Sequence, residues 1–280
     1  MPRCLKIVLA YDGTDLVGWQ RQPTGVSVQA LLEEALAAIE GRAVVVVGAG
    51  RTDAGVHALG QVASCRIEHA IPAADLARAL NARLPDQVRV LDVEEAPDGF
   101  HARYGARAKT YRYLILNGAL VNPFERRYVW HVPRPLDVEA MAEAARCLEG
   151  RHDFTALQGA GSAAKTTVRT VEHASVQPLQ LMAVAGGLTL AARPPGGRLV
   201  AIDVRGDGFL RHMVRNAVGT LVEIGHGRRP AASMREVLAS GDRTQAGPTA
   251  PASGLFLVRV DYPGAPADDA GSLAQPERSL

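Results

Sequence analysis

A chain of 280 residues, 47% hydrophobic and 21% charged, has a globular composition and is long enough to bury two domains or one large one. No apolar run approaches the roughly 18 residues of a membrane helix, and Cys4, Cys65 and Cys147 fit reduced thiols better than a disulfide frame or a zinc site. The net charge of +2 implies no strongly charged partner by itself, although only Lys6, Lys109 and Lys165 among the 31 basic residues are lysines. Arginine suits RNA because it grips phosphate through two N–H groups and stacks on bases. A GC-rich genome produces the same bias, so only local clusters carry weight.

Leu5 to Tyr11 reads as a strand, turned by Asp12-Gly13-Thr14. It leads directly from the N-terminus with no secretory segment, which predicts a cytoplasmic protein. A polar loop, Gly18-Trp19-Gln20-Arg21-Gln22, follows. Ser27 is placed to cap a helix with Val28, Leu32, Ala35, Leu36 and Ile39 on its apolar side and Gly41 as its stop. The run Ala43-Val44-Val45-Val46-Val47 reads as a strand, and Gln61 to Ile67 as a second. Between them lies Gly48-Ala49-Gly50-Arg51-Thr52-Asp53-Ala54-Gly55-Val56-His57-Ala58. Its glycines permit a tight turn and the close approach of another molecule. Asp53, with the Arg51 guanidinium two positions earlier, forms a candidate chemical site. The same residues also suit a hairpin turn in which Asp53 caps the backbone and Arg51 pairs with it.

A helix over 73–84 and a strand over 88–93 continue the alternation, which implies an α+β fold with a mostly antiparallel sheet. Phe100 to Ile115 is the strongest basic-aromatic stretch. On a strand, Arg107, Lys109, Tyr111 and Tyr113 share one face, which suits RNA or else a half-buried strand with snorkelling bases. Leu120 to Pro135 reads as a connector, and Leu136 to Leu148 as a helix. His152-Asp153 reads as a local cap, because no serine or cysteine nucleophile motif accompanies it. Residues 158–167 form a polar loop from which Lys165 and Arg169 can touch RNA. Strands follow over 171–177, 188–193 and 199–204, with a turn at 194–197. Leu210, Met213, Val214, Ala217, Val218 and Leu221 form one face of a helix that carries Arg211 and Arg215 on its flank. By spacing alone, Arg215 is a solvated flank residue and Leu255, on a strand over 254–262, is plain core. A helix over 231–240 and a loop over 246–253 lie between, and residues 264–280 read as a disordered tail.

The Gly50 to Ala58 segment resembles the active-site motif of the TruA family of tRNA pseudouridine synthases. Tyr11-Asp12-Gly13-Thr14 with Gly18 to Gln22, Lys109-Thr110-Tyr111-Arg112-Tyr113, Phe209 to Gly219 and Gly254 to Tyr262 are similar to further family stretches, in the same order along almost the whole chain. Leu16 and Leu157 stand where family members more often carry an aromatic residue. The resemblance implies the pseudouridine synthase fold: two similar α/β subdomains, here 1–106 and 107–263, with a mostly antiparallel central sheet and a cleft between them. It implies that Asp53 is catalytic, that Tyr111 packs on the target base, and that Arg51 fills the gap left by the flipped nucleotide. Arg215 is expected to pair with the catalytic carboxylate and Leu255 to line the base pocket. The implied reaction is isomerisation of uridine in the anticodon stem-loop of tRNA, at about positions 38 to 40. It is expected of a homodimer that needs no metal or nucleotide cofactor, in keeping with scattered histidines and no P-loop or dinucleotide fingerprint. Two other classes remain open from the residues: a non-catalytic RNA-binding protein, and a hydrolase using Asp53 or His152-Asp153.

Overall fold

The computed structural model describes residues 2–162, 164–179 and 197–264. Ten strands form one sheet: β1 (Arg3–Tyr11), β2 (Val47–Gly48), β3 (His57–Ile67), β4 (Val88–Ala96), β5 (Ala108–Asn117), β6 (Trp130–Val132), β7 (Gly150–Asp153), β8 (Val168–Leu179), β9 (Arg198–Gly206) and β10 (Leu255–Asp261). Five helices accompany them: α1 (Val28–Glu40), α2 (Ala73–Asn81), α3 (Val138–Arg146), α4 (Met213–Gly225) and α5 (Ser233–Ser240). The strand order is β4-β1-β3-β10-β5-β9-β8-β7, with β2 on β3 and β6 on β5. Among the described strands only β3–β10 and β5–β6 are parallel, so the sheet is mostly antiparallel and the fold α+β. The last strand therefore lies in the middle, between β3 and β5.

Local chemistry explains the helices. Ser27 Oγ accepts from Ala30 N–H at 3.2 Å and so caps α1, which Gly41 ends at φ +77° by donating to the Ala37 carbonyl. Strand alternation sends Tyr111, Tyr113 and Ile115 of β5 into the main core, to which all five helices contribute. Leu114 and Leu116 go to a second, smaller cluster with Val129, Leu199, Ala201 and Phe256.

Several expected elements shift, for identifiable reasons. The valine run at 43–47 is not a strand before Val47. Its backbone is satisfied by α1 side chains instead: Gln29 Nε2 donates to the Val46 carbonyl at 2.9 Å, and Val46 N–H donates to Glu33 Oε1 at 3.3 Å. With those groups taken, Val44 and Val46 are buried and Val45 is exposed without a ladder partner. Conversely, β3 starts at His57, inside the glycine segment, because Phe256 and Leu257 pair with His57 and Ala58. The basic-aromatic stretch is a turn over 102–104 and becomes a strand only at Ala108. The connector contains β6, held parallel to β5. The predicted helices over 73–84 and 136–148 run 73–81 and 138–146, and α4 begins only at Met213. The expected strand over 188–193 and the tail over 265–280 lie outside the described residues.

Gly219 shows how tightly α4 is seated. A Cβ there would collide with the Pro248 carbonyl oxygen of the loop leading to β10. Neither backbone can retreat without moving a whole element, and overpacking of this kind costs about 1–3 kcal/mol or more. Gly219→Ala is expected to lower unfolding free energy by at least about 2 kcal/mol, read as a drop in the urea midpoint at unchanged slope. An unchanged midpoint would mean that the loop yields freely.

Candidate active site

The segment from Ala49 to Val56 is clamped through its backbone on nearly every side. Ala49 N–H donates to Val62 O at 2.7 Å, and Gln61 Nε2 donates to Gly50 O at 2.9 Å. Trp19 N–H donates to Thr52 O, Val56 N–H to Asp53 O, and Gly55 N–H to Leu16 O. Thr52 Oγ1 and Tyr11 Oη share a buried hydrogen bond of 2.8 Å, and Gln61 Nε2 also reaches Tyr11 Oη at 3.3 Å. Gly18, at φ +98°, lies so close that a Cβ would strike the Thr52 carbonyl. A fixed loop backbone leaves the Asp53 side chain to point outward from a defined place.

That side chain meets α4. Arg215 Nη1 lies 3.6 Å from Asp53 Oδ2, and His212 Nε2 lies 3.5 Å from the same oxygen. Arg215 is anchored from behind, since its Nε donates to Ala250 O at 2.7 Å while Ala250 N–H donates to the Arg215 carbonyl. Its side chain is 15% exposed, so it is a half-buried partner of the glycine loop and not the solvated flank residue that helical spacing alone suggests. The Asp53 carboxylate makes no side-chain hydrogen bond among the described residues and is about one-third exposed. Arg51 is exposed and makes no such contact either, so it does not pair with Asp53 as a simple hairpin would have it.

Tyr111 projects from β5 on the same side. Its Oη is 3.8 Å from where a Cβ on Gly50 would sit, and its ring meets Phe209 edge-on at 5.0 Å. Burial pushes its hydroxyl pKa up, and the Tyr11 and Asp53 charges add to this, so the group stays protonated at neutral pH. Leu255 lies on the adjacent β10 opposite Tyr113 and is 5% exposed. The structure thus gathers Asp53, Arg215 and Tyr111 around one loop and leaves Arg51 at its rim. β5 as a whole is not an open RNA-facing strand. It is central in the sheet, and Tyr113 is fully buried with its O–H donating to the Pro251 carbonyl. His152-Asp153 is a local turn: Asp153 Oδ1 accepts from Thr155 N–H and Oγ1, and His152 Nε2 bonds the Glu149 carbonyl.

Two histidines lie inside motifs that the sequence singles out for other residues, His57 in the glycine segment and His212 in the segment leading into α4. His212, at φ +59°, is the one non-glycine residue with positive φ among the described residues, and Gly159 makes room for it, since a Cβ there would lie 2.7 Å from His212 Nδ1. Its pKa is lowered first by burial, then by Arg215, Arg211 and Arg243, against the opposing pull of Asp53. His57 links three loops: its Nδ1 accepts from Gly13 N–H at 3.1 Å, and Nε2 bonds the Arg127 and Ser253 carbonyls at 3.0 and 3.2 Å. Strain of the His212 kind concentrates at functional sites.

A carboxylate beside an arginine and a buried tyrosine on one fixed loop is a candidate chemical site, and comparison with known proteins says what class of protein carries it. The family pattern described as tRNA pseudouridine synthase matches residues 7–105 and 144–263, and the chain belongs to that family. Its relatives include proteins named tRNA pseudouridine synthase A from Syntrophotalea carbinolica, 46% identical over 92% of this chain and 96% of that protein, and from Myxococcus xanthus, 45% identical over 99% and 98%. A third, from Moorella thermoacetica, is 47% identical over 92% of this chain and 99% of its own. No helix among the described residues is long and apolar enough to cross a membrane.

Tyr11 carries a pH dependence. Burial pushes its hydroxyl up to about 12 from its ordinary value of 10.0, although hydrogen bonds with Thr52 and Gln61 oppose the shift. A raised folded-state pKa gives stability that is whole below the unfolded value and is lost as pH rises toward the folded one. Between pH 10 and 12, Tyr11 should therefore cost the fold about 1.4 kcal/mol per pH unit. Tyr11→Phe should flatten the alkaline fall of the urea midpoint by one proton's slope. Equal slopes in both proteins would show that Tyr11 ionises freely in the folded state.

Proposed function

We propose that this pseudouridine synthase acts on uridines of the tRNA anticodon stem-loop, at about positions 38 to 40, with Asp53 as its catalytic carboxylate. The reaction, isomerisation of uridine to pseudouridine in tRNA, is that of its family. The N1–C1′ bond breaks, the uracil turns, and a C5–C1′ bond forms; C5 gives up its proton and N1 gains one. Such a reaction calls for an anion beside the sugar and the uracil edge, whether as nucleophile, as base or as a stabiliser of positive charge. The observation that carries the reading is the placement of Asp53, about one-third exposed, with Arg215 at 3.6 Å and Tyr111 projecting from β5 beside the same loop.

The other roles follow from position. Tyr111 offers its ring to the target base, Leu255 lines the same side of the sheet, and Arg51, exposed at the loop's rim, fills the space that the flipped nucleotide vacates. The halves 1–106 and 107–263 form the two walls of this cleft, since Asp53 comes from the first and the other wall from the second. The protein works in the cytoplasm as a homodimer that needs no metal or nucleotide cofactor. Exposed Leu120 and Phe124 support the dimer, as does Leu59 at a surface hollow of about 270 Å³ that Tyr128 and Phe256 also line.

Asp53→Asn should fold, bind tRNA at least as tightly as the parent, and lose pseudouridine formation by more than about 100-fold. Binding should hold because the change removes a negative charge from a surface that meets phosphate. Arg215 loses its partner, so melting is to be recorded with activity. Product at a near-parental rate, with deamidation excluded by mass spectrometry, would sink the assignment.

Tyr111→Phe keeps the ring and removes the hydroxyl, and should retain affinity while losing most turnover. Tyr111→Ala should lose both, the ring being worth about 1–3 kcal/mol if a base stacks on it. Full turnover in the Phe variant would show that the hydroxyl has no part in the chemistry.

A further inference from the structure

One charged group beside the site has no counterpart. Lys109 is nine-tenths buried, yet it makes no hydrogen bond and no ion pair among the described residues. Lys6, by contrast, pairs with Glu94 at 2.7 Å. The stem of Lys109 lies against the catalytic loop: its Cε and Cδ are 3.5 and 3.6 Å from where a Cβ on Gly50 would be, and Tyr111 Oη is the next atom at 3.8 Å. Lys109 also shares a face of β5 with Tyr111, two residues along, which is about 6.8 Å on a strand. A single nucleotide bridges such a span between its ring and its backbone.

The charges that act on Lys109 do not satisfy it. Arg103 and Arg169 repel it, and Asp207 is the one acid acting on it. Asp207 Oδ1 is already used by Thr170 N–H, at 3.0 Å, and comes within ion-pair reach of no lysine. Arg169 is turned onto the Thr166 and Val168 carbonyls, and Arg103 lies over the Tyr104 ring. The Lys109 ammonium still touches water at the cleft but has lost most of its hydration, and holding a charge there with no anion beside it is costly. Burial accordingly pulls the Lys109 pKa down, with Arg103 adding to the effect. Arrival of an anion would reverse that cost.

We propose that Lys109 is an anion site of the cleft that receives a backbone phosphate next to the target uridine, so that the base reaches Tyr111 and Asp53 while its phosphate is held from below by Lys109. The inference rests on the reading of this cleft as the pseudouridine site. Arg103 and Arg169 form the positive approach to it, and Gly50 is the residue whose missing side chain leaves the lysine its room.

The test is a chemical double-mutant cycle. The parent protein and Lys109→Met, which keeps an unbranched stem without the charge, are compared on anticodon stem-loops. In each RNA one linkage, 5′ or 3′ of the target uridine, is a neutral methylphosphonate. Controls carry the same 2′-O-methyl group beside an ordinary phosphate. Lys109→Met should weaken binding of the control about 10- to 100-fold, as expected for a charge-assisted contact. One of the two neutral linkages should cost the parent a similar factor and cost Lys109→Met almost nothing. Lys109→Arg should keep the sensitivity to that linkage. The slope of log affinity against log salt should fall by about 0.7 in the Met variant.

Losses that multiply would overturn the phosphate site, as would a Met variant that binds like the parent. Should the Met variant fail to fold, the parent alone decides: indifference to both neutral linkages removes the proposal. A parent that converts unmodified RNA while the losses multiply sinks the phosphate site and spares the functional reading. A parent that binds these RNAs without making pseudouridine strikes that reading instead.

Discussion

β10 reaches the sheet last in the chain but lies between β3 and β5, and the site depends on that insertion. Its parallel contact with β3 is short, Phe256 on His57 and Leu257 on Ala58, yet it fixes the strand that leaves the Asp53 loop. Its antiparallel contact with β5 sets Leu257 opposite Tyr111 and Leu255 opposite Tyr113. The loop just before it holds Arg215 by two hydrogen bonds at Ala250 and blocks α4 at Gly219 through Pro248. Asp53, Tyr111 and Arg215 come from three distant parts of the chain, and one strand with its leading loop registers all of them.

The second constraint is charge. Asp53 meets the Arg215 guanidinium at 3.6 Å and the His212 ring at 3.5 Å, and both come from the same turn at the start of α4. His212 accepts a left-handed backbone to stand there, and Gly159 gives up a side chain to admit it. The loop itself is held by backbone and neutral side-chain bonds, from Tyr11, Gln61 and Trp19, so its geometry does not rely on the carboxylate it presents. The chemical group and the scaffold that positions it are thus separate interactions.

The α+β class, the cap at Ser27 and the apolar face of α4 were legible in the residues, because each rests on spacing within one segment. The Asp53 loop stood out through its glycines, and Arg215 through a motif similar to a known family's. Spacing alone could not place Arg215, since its burial comes from the loop at Ala250, 35 residues later. The valine run misled because β-branched composition says nothing about whether Gln29 and Glu33 will claim the backbone first. His212 was hidden, since its place depends on a backbone angle that leaves no mark in the order of residues. Lys109 was legible as part of the basic-aromatic face of β5, but its lack of a partner was not.

The position of β10 also bears on how the protein is made. Chains emerge from the ribosome N-terminus first, and segments that can pair early do so. Here β1, β3 and β4 can associate as soon as residue 96 is free, and β5 with β9 once residue 206 is free. Each of these sheets then presents an open edge: β5 waits for a strand made some 50 residues after β9, and β3 for the same strand, made some 160 residues after β4. Unpaired edges invite pairing with a neighbouring chain, so the interval before β10 arrives is the hazardous one in the life of this protein. Closure of the sheet and completion of the Asp53 loop's surroundings then occur in the same event. A half-made chain has neither a sealed sheet nor Arg215 fixed beside Asp53.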